Sequence, residues 1–122
     1  MSENTKNSLL RKMQEMRVEL QNEDVKKTGY NSYSNYHYFE LSDFLPHINQ
    51  LMLDHNVTSI YAIEDGKAAL TFRDLETDEE ITFSIPTAEL NLKGANAIQN
   101  VGGLTTYTRR YLYMIAFEIA EN

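Results

Sequence analysis

The chain has no cysteine and no tryptophan among its 122 residues. Without thiols it can form no disulfide, no zinc–thiolate centre and no cysteine nucleophile. Histidine is almost as scarce, at His37, His47 and His55. His47 and His55 are eight apart and can share a helix face, but no third ligand joins them, so no metal site is expected. There is no glycine–lysine phosphate loop and no triad spacing around "DHN" or "SNYH", so neither an enzyme nor a bound cofactor is expected. No apolar run reaches the length that spans a bilayer. The N-terminus, "MSENTKNSLLRKMQEM", lacks the apolar core of a secretory signal, which makes a cytoplasmic protein the expectation.

Cations are in short supply too. Eleven Lys and Arg face eighteen Asp and Glu, for a net charge of −7. Such a balance argues against indiscriminate binding to nucleic acid. The charges are nevertheless segregated. Residues 40–89 hold eleven acids and two bases, whereas residues 25–39 hold Lys26 and Lys27 with no acid. Residues 90–117 hold Lys93, Arg109 and Arg110, again with no acid. The field at a site follows the local arrangement more than the sum.

Periodicity predicts a helix from Ser8 to about Val25, with Ser8 as N-cap and Leu9, Leu10, Met13, Met16 and Leu20 as its apolar face. "KKTGYNSYSNYHYF" reads as irregular backbone threaded with aromatics. "ELSDFLPHINQLMLDHN" reads as a helix capped by Ser42, with Pro46 in the first turn, Leu45, Ile48, Leu51 and Met52 buried, and Asn56 at its end. "VTSIYAIE", "KAALTFRDL" and "EITFSIP" read as three strands, joined by Asp65-Gly66 and by the polar "ETDEE" turn. "TAELNLKGANAIQNVGG" is ambiguous. A last helix is expected from about Leu104 to Ala120, or already from Ala95 with the glycines inside it. Leu104, Thr108, Tyr111, Ile115 and Ile119 would form the stripe that packs on the sheet. The fold class is therefore α+β, a three-stranded antiparallel β-meander with helices on one face. One domain is expected, with residues 1–27 as N-terminal helix and linker and residues 28–122 as core. The chain stops at "IAEN", where the last helix should finish, which points to a longer native protein or a cut at a domain edge.

Three features carry candidate chemistry. Arg109 and Arg110 are adjacent on a helix, so they project about 100° apart; Arg110 would project sideways or outward with Met114, and Arg109 to another flank with Tyr113. A planar guanidinium suits bidentate phosphate contacts, and equally suits ion pairs with the acidic turns or with a neighbouring subunit. Gly102-Gly103 removes side chains where a helix begins or kinks: free N–H groups there suit a phosphate, and close packing is the plainer use. Tyr30, Tyr33, Tyr36, Tyr38 and Phe39 beside Lys26 and Lys27 have the composition of a single-strand platform, in which bases stack on rings and cations follow phosphates. Some of these rings are expected to anchor the segment to the core instead. The carboxylates Asp74, Glu76, Asp78, Glu79 and Glu80 are expected to form a solvated turn, with a divalent-cation site as the lesser alternative.

"TGYNSYSNYHYFELSDFLPHI" and "AIQNVGGLTTYTRRYLYMIAFEI" resemble the ERF (essential recombination function) family of phage single-strand annealing proteins. The first carries Tyr33, Tyr36 and Tyr38 in a Y-x-x-Y-x-Y pattern. The second carries Gln99, Gly102, Thr106, Tyr107, Arg109, Arg110 and Tyr111 in a Q-x-x-G-x-x-x-T-Y-x-R-R-Y pattern. The resemblance covers about residues 28–121. Gly103 departs from it, standing where a serine is usual, and the family's variable C-terminal tail is missing.

The resemblance implies a β-β-β-α core similar to that of ring-forming strand-annealing proteins. It implies ATP-independent binding of single-stranded DNA and annealing of complementary strands in phage homologous recombination, in the host bacterial cytoplasm. Partners would be single-stranded DNA, further copies in a ring or filament, and a single-strand binding protein. On that reading Arg109 and Arg110 contact phosphates, with Lys93, Lys26 and Lys27 in support. Tyr33, Tyr36 and Tyr107 stack on bases or shape the groove, and Gly102 and Gly103 allow close backbone approach. The rival expectation is an acidic protein-interaction module, either DNA-mimicking or host-factor-binding, with no annealing activity.

Overall fold

The computed structural model describes residues 7–87 and 97–121. Among the described residues three helices, α1 (Ser8–Gln21), α2 (Leu41–His55) and α3 (Ala97–Phe117), accompany five strands. β1 (Gly29–Asn31) and β2 (Tyr36–Tyr38) form a two-stranded ribbon, while β3 (Val57–Glu64), β4 (Lys67–Asp74) and β5 (Glu80–Pro86) form an antiparallel meander. The fold is α+β, with the helices packed against the three-stranded sheet, as expected.

The meander follows directly from alternation. Ala68, Leu70, Phe72 and Asp74 of the central strand point inward, while Lys67, Ala69, Thr71 and Arg73 point out. Asp65 and Gly66 both take positive φ, at 50° and 74°, which matches the twist of the hairpin they close. Phe72 is the hub of the core. It meets Phe83, Tyr113 and Phe117 edge-on, at centroid separations of 5.8, 6.2 and 5.6 Å. Leu9, Met13, Met16 and Leu20 of α1 join the same core, with Leu10 left exposed.

The last helix is rotated from its expected setting. Thr108, Leu112, Tyr113, Met114, Ala116 and Phe117 are buried, whereas Tyr111 is 37% and Ile115 50% exposed. Met114, expected outside, lies in the core. Hydrogen bonds fix the rotation: Tyr61 Oη and Thr108 Oγ1 are 2.6 Å apart, and Ser59 Oγ and Tyr113 Oη 2.8 Å. Turning the helix to bury Tyr111 would break both pairs and leave polar groups unpaired against the sheet. Among the described residues the helix runs from Ala97 with the glycines inside it, as in the longer of the two expected spans; Ala95 lies outside the described residues.

The expected serine caps are corrected as well. Asn7 and Glu40 precede α1 and α2. The Ser8 hydroxyl instead donates to Asp74 Oδ2 at 2.7 Å. Because α2 starts at Leu41, Pro46 falls in its second turn, where it removes one N–H from the helical ladder. Phe44 replaces Leu45 as a fully buried residue of α2, and Leu45 is only partly covered. Asn56 ends the helix in the left-handed conformation, as its residue type favours.

The acidic β4–β5 turn is not simply solvated. It forms the seat of α1. Asp74 is fully buried and accepts from Lys12 Nζ at 2.9 Å, from Ser8 and from the Glu76 N–H. Glu79 accepts from the Leu9 N–H at 3.1 Å, supplying a negative charge to the first turn of a helix that has none of its own. Arg73 holds Asp78 and Glu80, each at 2.8 Å. Among the described residues no group of acids and histidines is arranged to hold a metal ion. His47 and His55 do share one face of α2, where they meet Glu23 and Glu19 of the α1 region, each at 2.5 Å.

Burial opposes ionisation of Asp74, but the hydrogen bonds from Lys12, Ser8 and Glu76 outweigh it and lower its pKa from 3.8 to about 2. A depressed carboxylate stabilises the fold above its unfolded pKa and stops doing so as pH falls through the folded one. Wild-type stability should therefore fall by about 2 kcal/mol through this group as the pH drops from about 4 to about 2. Asp74→Asn should cost about 3 kcal/mol at neutral pH, because Lys12 loses its buried partner, and should reduce the acid loss. Urea denaturation across a pH series reads both.

Candidate nucleic-acid interface

The tyrosine-rich segment expected to be irregular is the β1–β2 ribbon. Its strands are only three residues long, paired Gly29 to Tyr38, Tyr30 to His37 and Asn31 to Tyr36. A side chain makes the turn. Asn31 Oδ1 accepts from the N–H groups of Tyr33 and Ser34, both at 3.0 Å, and Asn35 takes a left-handed φ of 53°. At the base, Asp43 accepts from the Thr28 N–H at 2.8 Å, the Thr28 hydroxyl at 2.6 Å and the Glu40 N–H at 2.8 Å. One carboxylate thus staples both ends of the ribbon. Burial opposes its charge, but the bonds from Thr28 and Glu40 prevail and hold its pKa below the usual range.

Arg110 joins this ribbon to α3. It was expected to project sideways or outward; its side chain is only 12% exposed. Nε donates to the Phe39 carbonyl at 2.5 Å, and Nη2 donates to both Glu121 oxygens at 2.8 Å. Glu121 Oε2 also accepts from the Phe39 N–H at 2.6 Å. The guanidinium carbon lies 5.2 Å from the Tyr38 ring centre and 5.1 Å from that of Tyr111. Burial works against the charge of Arg110, but the Glu121 carboxylate more than compensates and raises its pKa further.

Above this clamp lies an open groove of about 450 Å³, lined by Tyr30, Asn31, Ser32, Tyr33, Tyr36, Tyr38, Tyr111, Arg110 and Glu121. Tyr33 at the ribbon tip is 98% exposed, so folding gains nothing from its ring. Tyr30, Tyr36, Tyr107 and Tyr111 are also exposed, and Tyr107 lies 4.7 Å from Tyr111, extending the aromatic wall along α3. A more apolar hollow of about 300 Å³ between Leu20, Val25, Phe39, Phe44 and Ile119 lies away from these rings.

Arg109, Lys26, Lys27, Gly102 and Gly103 do not line this groove. Arg109 sits on the opposite flank of α3, its guanidinium 5.9 Å from the Tyr61 ring centre. Among the described residues no carboxylate pairs with it. Lys27 lies 5.2 Å from the Phe39 ring centre, and Lys26 pairs at the surface with Asp24 at 2.9 Å. Lys93 lies outside the described residues. Gly102 and Gly103 are interior to α3, so their N–H groups belong to the helical ladder and form no free cradle. A Cβ at Gly102 would meet only open space. Sequence reasoning missed Glu121 and the Phe39 backbone altogether: they lie 82 residues apart, and no local pattern links them.

One comparison decides the lineage. A family model described as the ERF superfamily matches residues 9–122, nearly the whole chain. The chain belongs to the ERF superfamily. No curated protein and no solved structure gave a significant match. ERF proteins anneal strands and are not catalysts, so membership supports, in general terms, a recombination role and an interaction with single-stranded DNA. No helix among the described residues of this ERF chain is long and apolar enough to cross a membrane.

Gly29 tests the geometry of the clamp. A Cβ there would overlap the Tyr38 ring, which is pinned against Arg110. Gly29→Ala should cost about 1–3 kcal/mol by overpacking and shift the Tyr38 ring resonances. Proton NMR alongside a melting curve checks both.

Proposed function

We propose that this ERF protein binds single-stranded DNA without nucleotide and anneals complementary strands, working as a homo-oligomeric ring or filament. The observation that supports this most is the set of tyrosines exposed around one groove, with the largely covered Arg110 held between the Tyr38 and Tyr111 rings. The Tyr33 ring, 98% exposed, returns no stability to the fold, and its neighbours leave about half their surface in water. A strand of unpaired bases gives them a use, since each base has a face to stack on whatever its identity.

In this reading Tyr33, Tyr36 and Tyr107 stack on bases, and Tyr30 and Tyr111 complete the wall. Arg109 and Arg110 attract phosphates, with Lys26, Lys27 and Lys93 in support. Gly102 and Gly103 let the strand approach the helix closely. A few cations per subunit suffice because an oligomer repeats them along the strand, while the overall charge of −7 discourages loose attachment to duplex. A single-strand binding protein is a compatible partner. The rival, an acidic surface for a basic partner, has less support, because Asp74, Glu76, Asp78, Glu79 and Glu80 are engaged with groups of their own chain.

Fluorescence anisotropy of a labelled single strand over a salt series tests the reading. Wild type should bind with steep salt dependence. Tyr33→Ala and Tyr36→Ala should each cost about 1–3 kcal/mol of binding, with oligomer size unchanged in both and melting temperature unchanged in Tyr33→Ala. Arg109→Ala should lower the salt slope by about one. Absence of binding at low salt, or equal binding by the tyrosine variants, would reject it.

A further inference from the structure

The floor of the tyrosine groove holds an anion that belongs to the protein. Glu121 presents two oxygens to Arg110 Nη2 at 2.8 Å, and one of them also accepts from the Phe39 N–H at 2.6 Å. A guanidinium beside a backbone N–H is the donor set that receives two non-bridging oxygens of a phosphate. We propose that Arg110 and the Phe39 N–H form a subsite for one phosphodiester group of the bound strand. In the free chain Glu121 occupies that subsite, and it swings out when the strand arrives. This inference rests on the single-strand reading above.

Three observations separate a displaceable occupant from a fixed pillar. The donors do not need Glu121 to stay in place. Arg110 Nε is bonded independently to the Phe39 carbonyl at 2.5 Å, its plane lies near the Tyr38 and Tyr111 rings, and the adjoining Glu40 N–H is fixed by Asp43. The acceptor, by contrast, is carried on a short tether. α3 ends at Phe117, Glu118 turns the chain back with a left-handed φ of 55°, and the Ile119 N–H bonds the Met114 carbonyl at 2.9 Å. Only Ala120, which is exposed, separates that anchor from Glu121. Charge points the same way. A carboxylate at the floor of a groove that receives a polyanion repels it unless it moves, and the arriving phosphate supplies Arg110 with the same neutralisation.

The two roles predict opposite signs. Wild type, Glu121→Gln, Arg110→Ala and the double variant would be titrated with labelled oligothymidylate by anisotropy. The Phe39 amide would be followed by NMR during titration with the oligonucleotide and with inorganic phosphate. Glu121→Gln should tighten oligonucleotide binding by about five-fold or more, the double variant should lose that gain, and the Phe39 amide should shift as the strand binds. Glu121→Asp, which keeps the charge on a shorter arm, should move affinity in the same direction and serves if the glutamine variant does not fold. Equal or weaker binding by folded Glu121 variants, with a silent Phe39 amide, overturns the subsite and leaves the single-strand reading intact. A Phe39 amide that responds to inorganic phosphate in Glu121→Gln, with no oligonucleotide binding by any variant, supports the anion subsite and overturns the single-strand reading.

Discussion

A single guanidinium holds the aromatic ribbon and the last helix together. Arg110 reaches from α3 to the carbonyl after β2, to the ring of Tyr38 and to a carboxylate beyond the end of its own helix. Only arginine can do all of this at once, since the contacts need a flat cation with donors on more than one edge and faces open to rings. Without it, a ribbon of two three-residue strands, barely stable alone, would be held to the domain at its base by Asp43 of α2 but would lose its tie to α3. The neighbouring Arg109 is turned by the helix toward Tyr61. Two adjacent and identical residues thus acquire different surroundings from 100° of helical rotation.

Charge is organised by the same economy of partners. The acidic turn between β4 and β5 seats the N-terminal helix through Asp74, Glu76 and Glu79, while Asp78 and Glu80 hold Arg73. Those carboxylates therefore act within the fold, at the end of the sheet where α1 begins. The aromatic ribbon stands apart from them, next to cations. On the proposed reading, a chain with a net charge of −7 can in this way admit a polyanion to one groove once Glu121 moves aside.

Much of the fold was legible in the residues. β3 and β5 fall where alternation and the Asp65-Gly66 turn put them, because a half-buried strand writes its pattern locally. The setting of α3 was not legible, since Leu104, Tyr111, Ile115 and Ile119 make as good an apolar stripe as the one that is buried. The choice falls to Ser59 and Tyr61, both on β3, which bond Tyr113 and Thr108 at separations of 54 and 47 residues. The β1–β2 ribbon escaped notice because its turn depends on the Asn31 side chain and its strands are too short to show a period. At the candidate site the two arginines and the tyrosines stood out by type and spacing. That Arg110 faces inward depends on Phe39 and Glu121, and nothing local to the arginine reveals either of them.

The central claim is that exposed tyrosines on a clamped ribbon hold unpaired bases so that two complementary strands can pair. The most direct test is the rate at which two labelled complementary strands anneal, followed by energy transfer without nucleotide. It would compare wild type with a variant carrying both Tyr33→Ala and Tyr36→Ala. The account predicts that wild type accelerates pairing well above the spontaneous rate and that the folded double variant does not. Acceleration that survives loss of both rings, or a wild type no faster than spontaneous pairing, would contradict it.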